Sequence, residues 1–270
     1  MSDPNRPARG SRTLAVALLT LAVVLAVAVL PPIPQPGRYH DFADQRTFLG
    51  IPYFLNLVSN AAFLLAGGAG LRGLSRDGTA FVHSRERWPY AVFFLSILLV
   101  GLGSGYYHLT PGNDRLFWDR LPMSLAFMSL LSAVLVERLG VRPGLRLFPW
   151  LAAAGPLSVL YWILTEQAGA GDLRFYGLVH FYPMVLIPLL LWLFPPRYSR
   201  GQDVLVVLAI YGAALGADRL DRQIFSLGGW LSGHTAKHLL AGLAAWWVWR
   251  MLRLRRPARD AGHPSCTRAS

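Results

Sequence analysis

The chain has 270 residues, 54% of them hydrophobic and only 15% charged, against roughly 25% charged in an ordinary soluble domain. With a mean hydropathy of +0.39, this composition excludes an ordinary soluble globular domain and points to a polytopic membrane protein. The formal charge of +12 comes from 26 basic residues scattered between apolar runs, with no basic stripe or interleaved aromatic patch, which argues against a nucleic-acid partner. The only cysteine, Cys266, leaves no intrachain disulfide.

Residues 1–12 form a polar N-tail carrying Arg6, Arg9 and Arg12. Residues 13–30 then run 18 residues without a charge, long enough to span a bilayer. A cleaved signal peptide is the rival reading, since Ala26-Val27-Ala28 resembles a cleavage site; the length of the run favours a retained helix. A proline-rich connection, residues 31–36, leads to Tyr39-His40-Asp41-Phe42-Ala43-Asp44-Gln45-Arg46. Seven further apolar runs follow at about 53–71, 88–107, 117–136, 148–164, 175–194, 204–217 and 234–252, making eight expected helices in an all-α membrane bundle. The 204–217 run is short for a span. Pro183 and Pro188 are expected to kink their helix, which would open a lateral slot for lipid. Residues 253–270 read as a basic, disordered tail.

Counting basic residues on alternate sides sets an expected orientation. Eighteen fall with the two termini and eight on the other side, so both termini are expected in the cytoplasm. The same alternation brings His108, Asp119, His234 and His238 to the non-cytoplasmic end, together with eight of the 14 acidic residues.

Those residues carry the chemistry. Ser104 and His108 are four apart, as are His234 and His238, and on a helix this spacing puts both side chains on one face, roughly 5–6 Å apart at Cβ. Three histidines suit a catalytic zinc ion, which takes three protein ligands and keeps a fourth position for water. His108, His234 and His238 are the expected ligands, Asp119 the group that holds and deprotonates water, and Ser104 a hydrogen-bond donor to the water or the developing oxyanion. A b-type haem, which needs axial histidines on opposite faces, suits an i, i+4 pair poorly. The bland alternative is a set of interfacial histidines bonded to water or backbone.

Other polar residues have readings of their own. Asp41 and Asp44, with Glu166 and Asp172 in another loop at the same end, would make an oxygen-rich calcium site; salt bridges to Arg38 and Arg46 are the competing account. Asp218, Arg219, Asp221 and Arg222 read as a structural ion network. His180 reads as a core or pocket residue, His40 as a loop residue, and His83 and His263 as solvated. Lys237, the chain's only lysine, is expected to point away from the metal and to snorkel to headgroups or contact an anionic lipid group. Gly101, Gly103 and Gly105 read as close-packing residues or as room for a substrate chain.

Taken together, Asn56-Leu-Val-Ser59-Asn60-Ala-Ala-Phe63, Gly103-Ser104-x-x-x-His108-x-Thr110, Asp119-Arg120-Leu-Pro122-Met123 and His234-x-x-x-His238 resemble the alkaline ceramidases. These lie within a wider superfamily of seven-helix membrane hydrolases that includes the adiponectin-type receptors. The resemblance implies a seven-helix hydrolase domain at 39–252, with residues 13–30 as an additional transmembrane helix before it. It implies a zinc-dependent amidase that cleaves the N-acyl bond of ceramide to sphingoid base and fatty acid. Zinc would be held by His108, His234 and His238, Ser104 and Asp119 would keep the roles given above, and Ser59 and Asn60 would pack helices. The family's calcium site is similar to Asp41-Phe42-Ala43-Asp44, but Arg46 and Tyr53 depart from its ligands, and Lys237 stands where a tryptophan is common. Hydrolysis of another lipid ester or amide, and a receptor-like bundle with structural zinc, are the competing functions. An open coordination position beside Asp119 and Ser104 separates an enzyme from the structural case.

Overall fold

The computed structural model describes residues 9–76 and 81–258; Arg6, His263 and Cys266 lie outside the described residues, as does the tail beyond 258. The described chain is helical apart from two isolated β-bridges. In order the helices are α1 (Arg9–Val29), α2 (Phe54–Val58), α3 (Ala61–Ser75), α4 (Arg87–Leu109), α5 (Asn113–Leu139), α6 (Val141–Gln167), α7 (Arg174–Leu193), α8 (Asp203–Arg219), α9 (Asp221–Ser226) and α10 (Gly233–Leu254). Each apolar run of the sequence falls in a helix, with α2 and α3 sharing one run. Six helical segments are long and apolar enough to cross a membrane: α1, α2 with α3, α4, α5, α6 and α7. Of the other two long helices, α8 has 17 residues and α10 is polar through its first turns. Apolar side chains cover much of the outer surface, and exposed tryptophans sit near both ends of the bundle, Trp118 and Trp230 at one and Trp88 and Trp192 at the other, as at a membrane interface.

The helices form an incomplete ring in the order α8, α10, α3, α4, α5, α7, with α6 outside it against α5 and α7. α1 rests mainly on α7, buries only Val16, and is fixed by a Thr20–Tyr182 hydroxyl contact of 2.8 Å. Helices α7 and α8 do not pack along their lengths. A hydrogen bond of 2.8 Å between the Tyr211 hydroxyl and His180 Nε2 bridges the seam between them.

Helices surrounded by lipid gain little from hydrophobic association and rely on close packing through small residues. Gly103 shows this most clearly. A Cβ placed there would lie 2.1 Å from the Trp118 carbonyl oxygen, so only glycine lets α4 lie against α5 at this level, and the contact sets Ser104 beside Asp119. The chain turns from α5 into α6 at Gly140, whose φ of 109° is readily adopted only by glycine.

At the end away from the histidines, the sequence reading of a tail disordered from Arg253 needs correction. α10 continues to Leu254, and Arg255 is buried, ion-paired with Glu137 and set over the rings of Tyr198, Phe81 and Tyr90. Arg256 and Ala258 make backbone hydrogen bonds to Ser199 and Arg197. A buried guanidinium needs a carboxylate partner and ring faces, and this end of the bundle supplies both.

Candidate metal centre

At the other end, α4 and α8 finish while α5 and α10 begin. His108 occupies the last turn of α4 and Asp119 the second turn of α5. The start of α10 is fixed by Ser232, whose side chain accepts from the Thr235 amide at 3.1 Å. Gly233 meets α8 so closely that a Cβ there would lie 2.0 Å from the Ala217 carbonyl oxygen. That approach carries His234 onto Asp218.

His108, His234 and His238 are all buried, and one nitrogen from each lies within 4.8 Å of the others. Among the described residues this is the one group of three or more metal-donor side chains. His108 Nε2 and His234 Nε2 are 3.2 Å apart, close to the ~3.3 Å that two nitrogens at zinc-bond length would keep about a tetrahedral ion.

The surrounding hydrogen bonds fix the tautomers. His234 Nδ1 donates to the Asp218 carboxylate at 2.7 Å, so its Nε2 carries a lone pair. His238 Nδ1 lies 3.1 Å from the Asn56 carbonyl oxygen, an atom that only accepts, and 2.8 Å from Ser59 Oγ; its Nε2 is likewise left with a lone pair. His108 Nδ1 is buried without a partner, so its polar contact is made through Nε2 at the centre of the cluster. Lone pairs from His234 and His238 that converge beside His108 Nε2 suit a divalent cation.

The carbonyl that holds His238 is available because of the break between α2 and α3. The Asn60 amide bonds to the Leu57 carbonyl rather than to Asn56. The freed Asn56 oxygen accepts from Ser59 Oγ at 3.0 Å and Asn60 Nδ2 at 2.8 Å as well as facing His238. Ser59 and Asn60 therefore do more than pack helices: they shape the support of a metal ligand.

Ser104 lies beside the Asp119 carboxylate, and both line the upper wall of a cavity with His238, Lys237 and Asp218. Below this polar collar the walls are apolar, reaching Phe93 on α4, Leu130 on α5, Ile187 on α7 and Ala245 on α10. From Ser104 to Phe93 and from Asp119 to Leu130 the lining extends about 16 Å along the helices at 1.5 Å per residue. His180 also lines the cavity, between Tyr176 and Tyr211.

The acidic loop residues are not gathered in this way. Asp44 is gripped by Arg46 through two bonds of 2.8 Å. Burial pushes its carboxyl up, but the side-chain and backbone bonds from Arg46 more than offset this and hold it below the ordinary range. Asp41 pairs with Arg222 at 2.6 Å, Asp172 with Arg174 at 2.8 Å, and Glu166 accepts from Asn113 at 3.1 Å. With their oxygens bound separately, these four carboxylates do not form the oxygen cage expected for calcium. His40 is held between the Tyr107 hydroxyl at 2.7 Å and Asn113 at 2.9 Å.

Two sequence readings change. Lys237 does not point away: it lines the cavity and pairs with Asp218 at 3.3 Å. Asp218 is not merely part of a structural ion network, because it orients His234, one of three histidines that could hold a metal ion. Its location at the end where the His-x-x-x-His pair begins was the available signal. An Asp218→Asn protein is expected to bind zinc about 10–100-fold more weakly while melting within a few degrees of wild type, measured by competition with a fluorescent chelator and by thermal unfolding.

No family model, curated protein or solved structure matches the chain.

Proposed function

We propose that this chain is a zinc-dependent membrane amidase that hydrolyses the N-acyl bond of ceramide or a related N-acyl lipid. The observation that carries the reading is the cluster of three buried histidine donors, one of which, His238, lines an apolar cavity together with the Asp119 carboxylate and the Ser104 hydroxyl. Structural zinc is normally closed by four protein ligands, and the donor cluster here contains three, with Asp119 outside it. On this reading all eight long helices span the bilayer, α1 precedes a seven-helix core, both termini are cytoplasmic, and the histidines lie toward the opposite side.

Zinc held by His108, His234 and His238 would supply Lewis acidity, raising the acidity of water and polarising the acyl carbonyl. The residues of the chain do the rest. The cavity below Ser104 takes the acyl chain and brings the carbonyl carbon to the collar, excluding bulk water. Asp119 accepts a proton from the attacking water and returns it to the leaving nitrogen as the C–N bond breaks. Ser104, beside Asp119, would donate its single O–H to the developing oxyanion. Water oxygen forms the new C–O bond, and the products are a fatty acid and an amine.

Purified protein is incubated with ceramide and other N-acyl lipids, with and without chelator, and released fatty acid is read by mass spectrometry. Chelator-sensitive release that returns on adding zinc is expected; zinc-loaded protein that releases no fatty acid from any of them overturns the proposal.

A further inference from the structure

The collar of the cavity contains a cation that a neutral lipid headgroup does not need. Lys237 lines the cavity and its side chain is 19% exposed. An ammonium has three donors, and its ion partner is Asp218, on the same Oδ1 that already accepts from His234. A partly buried charge is costly unless well paired, and Lys237 shares its ion-pair oxygen with His234.

A second cation stands nearby. Arg120 is buried, with its guanidinium carbon 4.2 Å from the Trp162 ring centroid, 4.9 Å from Tyr39 and 4.8 Å from Tyr176. Its Nε and Nη1 have no hydrogen-bond partner. Tyr39 and Tyr176 themselves line the cavity, so the guanidinium sits directly behind the wall. Asp119 and Asp218 balance these two cations, and a dication on the histidines would leave the collar net positive. That excess is two charges, so a carboxylate beside Lys237 would lower it to one; a phosphate monoester would cancel it but would set two charges against Asp119 and Asp218.

Resting on the amidase reading, we propose that Lys237 makes the site selective for N-acyl lipids whose amine portion carries a carboxylate, such as N-acyl amino acids, over uncharged amides. The carboxylate meets the Lys237 ammonium, the acyl chain fills the apolar cavity, and the scissile amide lies between them at the histidines. Hydrolysis then consumes water and yields a fatty acid and a free amino acid.

Binding is measured on zinc-loaded, full-length Asp119→Asn protein, so that affinity is read without turnover. The probes are N-palmitoylglycine, its uncharged counterpart N-palmitoylethanolamine, and palmitic acid. N-palmitoylglycine is expected to bind at least about tenfold more tightly than the ethanolamide, and Lys237→Met in the same background is expected to bring the ratio close to parity. Taking a ratio cancels any general loss in the variant. Lys237→Gln, with zinc content and helicity checked, provides a second variant should the first fold poorly. A ratio near one with Lys237 intact overturns the proposal. So does a Lys237 variant that weakens palmitic acid but leaves the ratio unchanged, which would make the lysine a partner of the fatty-acid product. Fatty-acid release by the protein with Asp119 and Lys237 intact is scored separately: a high, lysine-dependent binding ratio without any release fails the amidase reading alone, and release with a ratio near one fails only this inference.

Discussion

Replacing His234 with alanine is expected to reduce bound zinc from about one ion per chain to near zero and to bring amide hydrolysis down to background, with the protein still folded in the membrane. A site with three protein ligands loses a third of its donor set with one imidazole. The change also removes the 2.7 Å bond between His234 Nδ1 and Asp218 Oδ1, leaving Asp218 paired with Lys237 alone. The fold should survive because the start of α10 is fixed by backbone contacts that the substitution leaves in place, namely the Ser232 cap and the Gly233 approach to α8. Metal analysis of the purified variant checks the first half and thermal unfolding the second. Zinc retained at full stoichiometry would remove His234 from the ligand set.

Asp119→Asn separates binding of the metal from use of it. The carboxylate lies outside the three-histidine cluster, so zinc content should be unchanged. The amide cannot take a proton from water, and turnover is expected to fall about 10²–10⁴-fold. Because the substituted side chain keeps the size of the original and a carbonyl oxygen facing Ser104, a change in packing is a poor explanation for such a loss. Substrate saturation curves check this: kcat should fall with little change in KM. Unchanged turnover would end the proposed role of Asp119.

Much of the arrangement was legible in the sequence because two strong physical signals coincide. Apolar runs of bilayer length become helices, and their alternation forces distant residues into the same layer. His108, Asp119, His234 and His238 meet for that reason. What escaped was decided by side-chain direction and local backbone bonding. Lys237 follows the lysine habit of reaching for headgroups until Asp218, arriving from α8, gives it an inward partner. The support of His238 depends on a helix interruption at Ser59-Asn60, and an Asn-Leu-Val-Ser-Asn stretch in an apolar run does not announce which carbonyl will be released. The acidic loop reads as a calcium site because its carboxylates are close in sequence, yet arginines from three different segments claim Asp41, Asp44 and Asp172. Arg255 reads as part of a solvated tail because its ring and carboxylate partners come from four separate segments.

On the amidase reading, a substrate entering through the seam between α7 and α8, spanned by Tyr211 and His180, would come directly from the bilayer. Access from the side means that molecules dissolved in the bilayer arrive by two-dimensional diffusion, tail and amide together, without first being extracted into water. Rates would then follow the mole fraction of substrate in the membrane rather than its bulk molarity. Diluting a fixed amount of substrate with inert phospholipid would slow turnover even though the substrate's concentration per litre of solution stayed the same.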